Sequence, residues 1–549
     1  MFSFFKPKKK KKENKQASKN QQKNSREEPG NKAPAAIDTS LSVNLEFLKK
    51  KTGNSSDIVI RPLKMSNNPE IKTAVLYVKG MVDSQSINDF LIESIMHTPS
   101  LPQNFDHKNV LEMMKEEVLV HGEIKLVNKW DDLFSALLSG NTIIFVDGAT
   151  EALIISTQGG EKRSVQESTT QVTVRGSKES FTESLETNVA LVRRIINSPD
   201  LWMESMKIGK VTKTDVSIMY IQGIARKEIV DEVRKRLKRI DIDGILESGY
   251  IEQLIEDKTL TIFPTVYHTD RPDAVAGNLL EGRIAILVKG TPFVLLAPAL
   301  FIQFFQSVED YYQRFDIATA IRALRIIVFL ISLIGPAVYI AATTFHQEMI
   351  PTGLLIIIAA QRESVPFPAF VEALIMEITF EILREAGIRL PKAIGATVSI
   401  VGGLVIGQAA VQAGIVSPAM LIVVAITAIA SFATPSYAVA ISARLVRFFF
   451  MISAATFGFY GMFLAFLMLV VHLCSLRSFG VPYMSPLSPF IPEETGDTFF
   501  RKPIWAFKKR PQMVSGRNKI REGEYQKPKP PGTSNMVNPY AEKGDQNES

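Results

Sequence analysis

Between Lys392 and Arg444 lie about fifty consecutive residues without a single Asp, Glu, Lys or Arg, in a chain of 549 residues that is 22% charged. A membrane crossing needs roughly twenty apolar residues. The uncharged run, punctuated by Pro418 and Pro435, therefore has the length for two crossings joined by a tight connection near Gly414 to Pro418. Two further runs resemble it: Ile326 to Phe345, entered past Arg322 and Arg325, and Phe448 to Leu476, interrupted only by His472. A buried core helix of a water-soluble protein accounts for one such run but not for four. Spans are expected near residues 324–345, 393–414, 419–441 and 448–476. Between the first two, residues 350–391 read as a broken or amphipathic segment.

The hydrophobic fraction of 46% averages two unlike parts. Before about residue 290 the chain is rich in charge and in short Val/Ile runs, as in a water-soluble α/β protein. Charge is also uneven. Residues 1 to 32 carry eleven basic and three acidic side chains, residues 501 to 549 eleven and five, so a net +7 leaves about −7 between them. Both ends are low in apolar residues and rich in Lys, Asn, Gln, Pro and Gly, a composition that cannot bury enough surface to offset ordering. They read as disordered tails. The run Lys6 to Lys12 beside Phe2, Phe4 and Phe5 suits either contact with anionic membrane lipid or a tail that only keeps the chain soluble. No base-reading or stacking fold accompanies the charge, so nucleic acid is not expected as a partner. The N-terminal MFSFF is too short for the core of a signal peptide, and the lysines follow it. Cys474 is the only cysteine, which rules out an intrachain disulfide.

The water-soluble part repeats itself. AVLYVKGMVDSQSINDFLIESI from Ala74 is answered by SIMYIQGIARKEIVDEVRKRLKRI from Ser217, and NTIIFVDGATEALII from Asn141 by RIAILVKGTPFVLL from Arg283. Tyr77 and Tyr220 are 143 positions apart, Gly148 and Gly290 142. A shared offset in two separate pairs implies a duplicated unit. Each unit reads as an alternating strand, a polar turn, an amphipathic helix and a hairpin at Gly148 or Gly290. The division that follows is a tail at 1–40, a first α/β unit at 41–157, and a polar linker with a connector helix at 158–206, the helix running from Lys178 to Met206. A second unit at 207–298, a helical membrane domain at 299–476 and a tail at 477–549 complete it. The fold class is a duplicated α/β soluble region followed by an α-helical polytopic membrane domain.

A search for catalytic chemistry finds no phosphate-binding loop, HExxH, paired CxxC or GxSxG elbow, and six scattered histidines without metal-ligand spacing. No enzyme, cofactor or metal site is expected. The unusual segment is QRESVPFPAFVEALIMEITFEILREAGIRLP, from Gln361 to Pro391. On a helix Glu377, Glu381 and Glu385 share one face with Arg384 beside them, while Glu372 points away. A bare carboxylate in hydrocarbon costs several kcal/mol, so these side chains must face water, a partner subunit, or Arg384 and Arg389. Two readings stand: the stripe flanks an ion path, or an amphipathic helix lies on the membrane surface with its acids in water. Pro366 and Pro368 break the segment before it, which is tolerated where backbone lines a cavity. Gly403 and Gly407 form a small-xxx-small pair for helix packing, within the chain or between subunits. The number of crossings stays open, because Arg389, Lys392, Arg444 and Arg447 do not fix its parity. A solute transporter is disfavoured, because the four runs show no duplication.

The runs DRPDAVAGNLLEGRIAILVKGTPFVLLAP (Asp270 to Pro298), EDYYQR (Glu309 to Arg314), VPFPAFVEALIMEITFEILREAGIRLP (Val365 to Pro391) and GATVSIVGGLVIGQAAVQAGIVSPAML (Gly395 to Leu421) resemble the A subunits of GerA-type spore germinant receptors. The resemblance spans about residues 40 to 480. It implies a multi-pass protein of the inner membrane of a bacterial spore, acting with a transporter-like B subunit and a lipoprotein C subunit. It also implies nutrient sensing, and an A subunit that forms a homo-oligomer conducting cations. The positive-inside rule puts the N-terminal half on the cytoplasmic side. A non-conducting scaffold that clusters receptor subunits, or a related sporulation membrane protein, is the alternative.

Overall fold

The computed structural model describes residues 36–64, 71–83, 85, 87, 111, 123–159, 167–168, 170–390, 402–403, 405–523 and 526–528. The lysine run of the N-terminus, most of the helix expected after Gly80, residues 160–166 and 169 of the polar stretch, residues 393–401 and 404 of the second expected span and residues 529–549 lie outside them.

Two sheets of five antiparallel strands form the N-terminal half. The first contains β1 (Ile58–Lys64), β2 (Lys72–Val78), β3 (Ile124–Val127), β4 (Thr142–Val146) and β5 (Ala152–Ile155), in the order β1-β2-β4-β5-β3. The second contains β6 (Leu201–Ile208), β7 (Thr214–Ile221), β8 (Tyr267–Thr269), β9 (Ile284–Val288) and β10 (Val294–Ala297), in the order β6-β7-β9-β10-β8. The orders are the same, strand for strand. Helices α1 (Leu41–Lys51) and α2 (Trp130–Leu138) serve the first sheet. The second has α3 (Leu185–Ile195), α4 (Lys227–Arg239), α5 (Ser248–Ile255) and α6 (Pro272–Leu280).

Small polar devices recur with the strands. Asn44 accepts from Asp38 N (2.9 Å) and donates to Asp38 O (2.7 Å); Asn188 does the same with Thr182 (2.7 and 2.6 Å). Gly148 and Gly290 turn the β4–β5 and β9–β10 hairpins at φ of 89° and 94°, and their N–H groups reach back to Thr39 O and Glu183 O. That backbone region excludes most side chains, which is why glycine stands at both turns. β2 and β7 are buried on both faces, so their Val, Ile and Leu side chains form nearly continuous runs.

The stretch expected to be a connector helix from Lys178 to Met206 is different. α3 stops at Ile195, ahead of Pro199, and residues from Leu201 pair with β7 as an edge strand. α3 is thus the second unit's counterpart of α1. The units meet through it: buried Arg193 donates from Nε to Asp57 Oδ2 (2.7 Å) and from Nη2 to Ser55 Oγ (3.0 Å). Ser56 N donates to Met203 O (3.1 Å), and Trp202 Nε1 to Lys51 O (3.1 Å).

The helical half follows: α7 (Glu309–Tyr312), α8 (Phe315–Thr344), α9 (Thr352–Arg362), α10 (Ala369–Arg389), α11 (Pro418–Phe432) and α12 (Tyr437–Ser475). Residues 405–412 are helical as well. Among the described residues, α8 and α12 are long and apolar enough to cross a membrane. The expected windows 419–441 and 448–476 are corrected. α11 ends at Phe432, because Pro435 interrupts the chain, and α12 begins at Tyr437, inside the first window. α12 itself is not straight. Ser442 and His472 are thirty residues apart, about 45 Å on a continuous helix. Yet Ser442 Oγ donates to Ile262 O (2.6 Å) and His472 Nε2 hydrogen-bonds Thr261 Oγ1 (3.1 Å), on adjacent residues. The reversal is at Gly458, with φ 59° and ψ −142°, a conformation outside the reach of other residues.

The expected structureless tail from residue 477 is also corrected. β11 (Arg477–Ser478) and β12 (Val481–Pro482) form a small ribbon, and the chain stays packed on the second unit as far as Asn518. Buried Tyr483 donates to Pro264 O (2.7 Å), Asp257 accepts from Phe479 N and Gly480 N (2.9 and 3.0 Å), and Gly516 N donates to Ile224 O (2.7 Å). A few apolar anchors (Phe479, Val481, Tyr483 and Val514) offset the ordering that the basic composition argued against.

Candidate functional site

α10 carries the acidic stripe into the apolar half, and the structure supplies each carboxylate with a cation or a helix terminus. Pro368, in an extended conformation, caps the helix, and exposed Pro366 lies in the preceding loop. One turn in, fully buried Glu372 accepts through Oε2 from Ser417 N (2.9 Å) and Ser417 Oγ (2.8 Å), at the N-terminus of α11. A carboxylate there meets the positive end of the helix dipole. Arg362 Nε stands 3.4 Å from its other oxygen.

Glu377, also buried, accepts from Arg447 Nη1 at 2.5 Å, and Arg447 Nε donates to Ser332 O at 2.6 Å. One ion pair therefore ties α10, α12 and α8 together. Glu381 accepts from Arg384 Nη1 (2.8 Å) and from Arg444 Nη1 (2.7 Å). Arg384 donates further to Ser431 Oγ (2.9 Å) and stacks 4.9 Å from the Phe432 ring centre. Glu385 pairs with Arg389 on the exposed side. Acids at 377 and 381 thus face arginines at 444 and 447, an i, i+4 spacing on one helix against i, i+3 on the other.

The sequence reading brought Glu377, Glu381 and Arg384 to one place, and the structure does so too. Glu385 looks outward, and Pro366 and Pro368 sit at the far end of α10. Gly407 packs on α11, where an added Cβ would lie 3.2 Å from Leu421 Cδ1, whereas nothing stands within 4 Å of one at Gly403. Three contributors escaped the sequence reading: Glu372, Arg444 and Arg447. The arginines were considered only for orientation, although their spacing complements that of the acids. Among the described residues no group of three or more His, Cys, Asp or Glu side chains is placed to hold a metal ion.

At the foot of α8 a second charged cluster joins the helices to the α/β half. Buried Arg322 pairs with Asp310 (3.2 Å) and Asp497 (2.9 Å), and Arg325 pairs with Asp310 (2.8 Å). Around it one apolar cluster runs from the second sheet (Met219, Leu287, Leu296) through Phe304, Phe305 and Tyr483 to Phe329 and Leu333 of α8.

Residues 46–513 match the family described as Bacillus/Clostridium GerA spore germination protein. The chain belongs to the GerA family. Spore germination protein KA of Bacillus subtilis is 60% identical over 514 residues, covering 94% of each chain. Spore germination protein A1 of the same organism is 39% identical over 475 residues, 86% of this chain and 96% of that one. The crystallised N-terminal domain of the A subunit of the Bacillus megaterium germinant receptor GerK3 is 52% identical, covering 49% of this chain and 99% of that one, at a TM-score of 0.39. The GerA-family chain therefore has a role in spore germination, and the residues quoted above as resembling that family lie within the matched region.

Proposed function

We propose that this chain is the A subunit of a nutrient-sensing germinant receptor, set in the inner membrane of a bacterial spore by residues 315–475. Copies of it assemble into the cation-conducting component, working with a transporter-like B subunit and a lipoprotein C subunit. The observation that carries this reading is the acid–base ladder of α10 inside an otherwise apolar helical half. Charges in hydrocarbon are expensive and mark functional paths when present. A purely structural contact is served as well or better by apolar side chains of the same volume. Glu381 lies between two arginines and can exchange them, which gives a signal from a partner subunit a two-state element to bias. Large apolar side chains left exposed on α9, α11 and α12, such as Ile356, Ile429, Phe432 and Phe457, support contact with lipid or with neighbouring subunits.

One feature favours a second reading, a scaffold that clusters receptor subunits without conducting. Within a single chain Glu377 and Glu381 are already compensated, so no bare carboxylate faces a passage. Purified chain in liposomes separates the two: cation flux is expected from the conducting assembly and none from the scaffold. Glu377→Gln and Glu381→Gln should each alter cation release and germination kinetics of spores. Unchanged behaviour in both variants, together with absent flux, would exclude the conducting role.

A further inference from the structure

The C-terminal segment places aromatic and basic side chains together at the foot of α8. Arg501 N donates to Thr319 Oγ1 (3.1 Å), and Arg322 holds Asp497, so residues 497–501 are tied to the first two turns of that helix. Thr319 precedes Ile326, where the uninterrupted apolar run begins, by seven residues, about 10 Å of helix. With a hydrocarbon core of about 30 Å in a bilayer of about 40–45 Å, that is the depth of the headgroups or just outside them.

At this level Phe500 and Ile504 are 67% and 59% exposed, with Phe499 and Trp505 partly exposed beside them at 40% and 36%. Exposed Lys502, Lys508 and Lys509 alternate with these side chains; Lys509 also reaches Glu493 (2.8 Å), and Lys527 lies 5.3 Å over the indole of Trp505. Uncovered aromatics in water are unfavourable, whereas a membrane surface accepts their rings and attracts the lysines that flank them. An acidic patch on a protein would satisfy the charges but not the position, which is set by the entry of α8 into the apolar layer.

We infer that residues 499–509 form an interfacial anchor, with Phe500, Ile504 and Trp505 in the headgroup–acyl boundary and Lys502 and Lys508 on the headgroups of acidic phospholipid. This rests on the reading that α8 crosses the membrane. The anchor holds the C-terminal segment, and through Asp497 the foot of α8, against the bilayer.

The chain has three tryptophans, and Trp130 and Trp202 lie in the α/β units, so lipid contact by Trp505 can be read by itself. Full-length protein is placed in nanodiscs of neutral phospholipid containing a minor fraction of brominated acidic phospholipid, and tryptophan quenching is measured. Quenching is expected in the wild type, with at least a twofold loss in W505F and a comparable loss in K502Q/K508Q. Equal quenching in W505F and wild type would overturn the anchor, and no change in K502Q/K508Q would overturn its preference for acidic lipid. A chain that does not enter nanodiscs at all would refute the membrane reading instead, a result visible on size exclusion before any fluorescence is recorded.

Discussion

The two α/β units have the same strand order, the same buried asparagine and the same glycine turns, yet they are joined to the rest of the molecule in different ways. Among the described residues the first unit keeps its apolar clusters almost to itself, with Ala190 of α3 alone reaching into them from the second. Its ties are polar, chiefly Arg193 with Asp57 and Trp202 with Lys51. The second unit shares one continuous apolar cluster with α8, α10, α11 and α12, and it is strapped by residues 477–518. Duplication supplied two copies of one scaffold; only one became the base on which the helices stand. The shared apolar cluster links the second unit to the α10 ladder, whereas the first unit is joined to the second mainly through the buried Arg193–Asp57 pair and Trp202.

The largest effect is expected where the base meets the helices. Arg322→Ala removes the buried cation that bridges Asp310 and Asp497, leaving Arg325 alone on buried Asp310 and half-buried Asp497 without its pair, and should cost about 3–5 kcal/mol, read as a lowered unfolding temperature of the full chain in detergent. Arg193→Ala should cost a similar amount, but its mark is protease cleavage between the units with the helices still protected. If both variants give the same cleavage pattern, the contrast between the units is wrong.

Gly458→Ala comes next. It forces a side chain into a conformation worth about 1–3 kcal/mol of strain, and its Cβ would stand 2.7 Å from the His346 ring. A stable variant with an unchanged fold would show that α12 does not reverse there. Smaller still, Asn44→Ala and Asn188→Ala should each cost about 1–2 kcal/mol by unpairing backbone groups, partly buried ones of Asp38 in the first and buried ones of Thr182 in the second. Hydrogen exchange would sharpen the comparison: the first should loosen its own sheet only, the second also the foot of α8.

A pH-dependent effect of similar size is expected in the second unit. Burial, then the carboxylates of Glu256 and Glu247, push Glu252 up to about 7 from its usual 4.5. The folded state thus holds this proton more tightly than the unfolded chain, so its contribution is complete below about pH 4.5 and is lost as pH rises through 7. Glu252→Gln should flatten the pH 5–7 slope of stability, by on the order of 1–3 kcal/mol, in thermal melts across that range.

Much of this was legible in the sequence. Period-two runs ending at matched glycines gave away the repeated sheets, and the missing charges marked the helical half. Spacing alone put Glu377, Glu381 and Arg384 together. What stayed hidden was non-local. Nothing near Arg447 says that its partner is Glu377, seventy residues earlier. Glu372 points away from the stripe on a helical wheel and so was set aside, although the N-terminus of α11 stands ready to receive it. Composition argued for disorder after residue 476, because four anchoring side chains are diluted among lysines and prolines. Hydropathy likewise cannot register Gly458: a run that folds back reads the same as one that goes straight through.

That reversal carries the central claim, that the apolar half leaves the α/β base and returns to it. Cys474, the single cysteine, is exposed at the end of α12, and Val43 is exposed on α1 of the first unit. In sealed inner-membrane vesicles of one orientation, a membrane-impermeant maleimide should label native Cys474 and a V43C/C474S variant from the same side. Labelling from opposite sides would mean that α12 runs straight across, and would contradict the account.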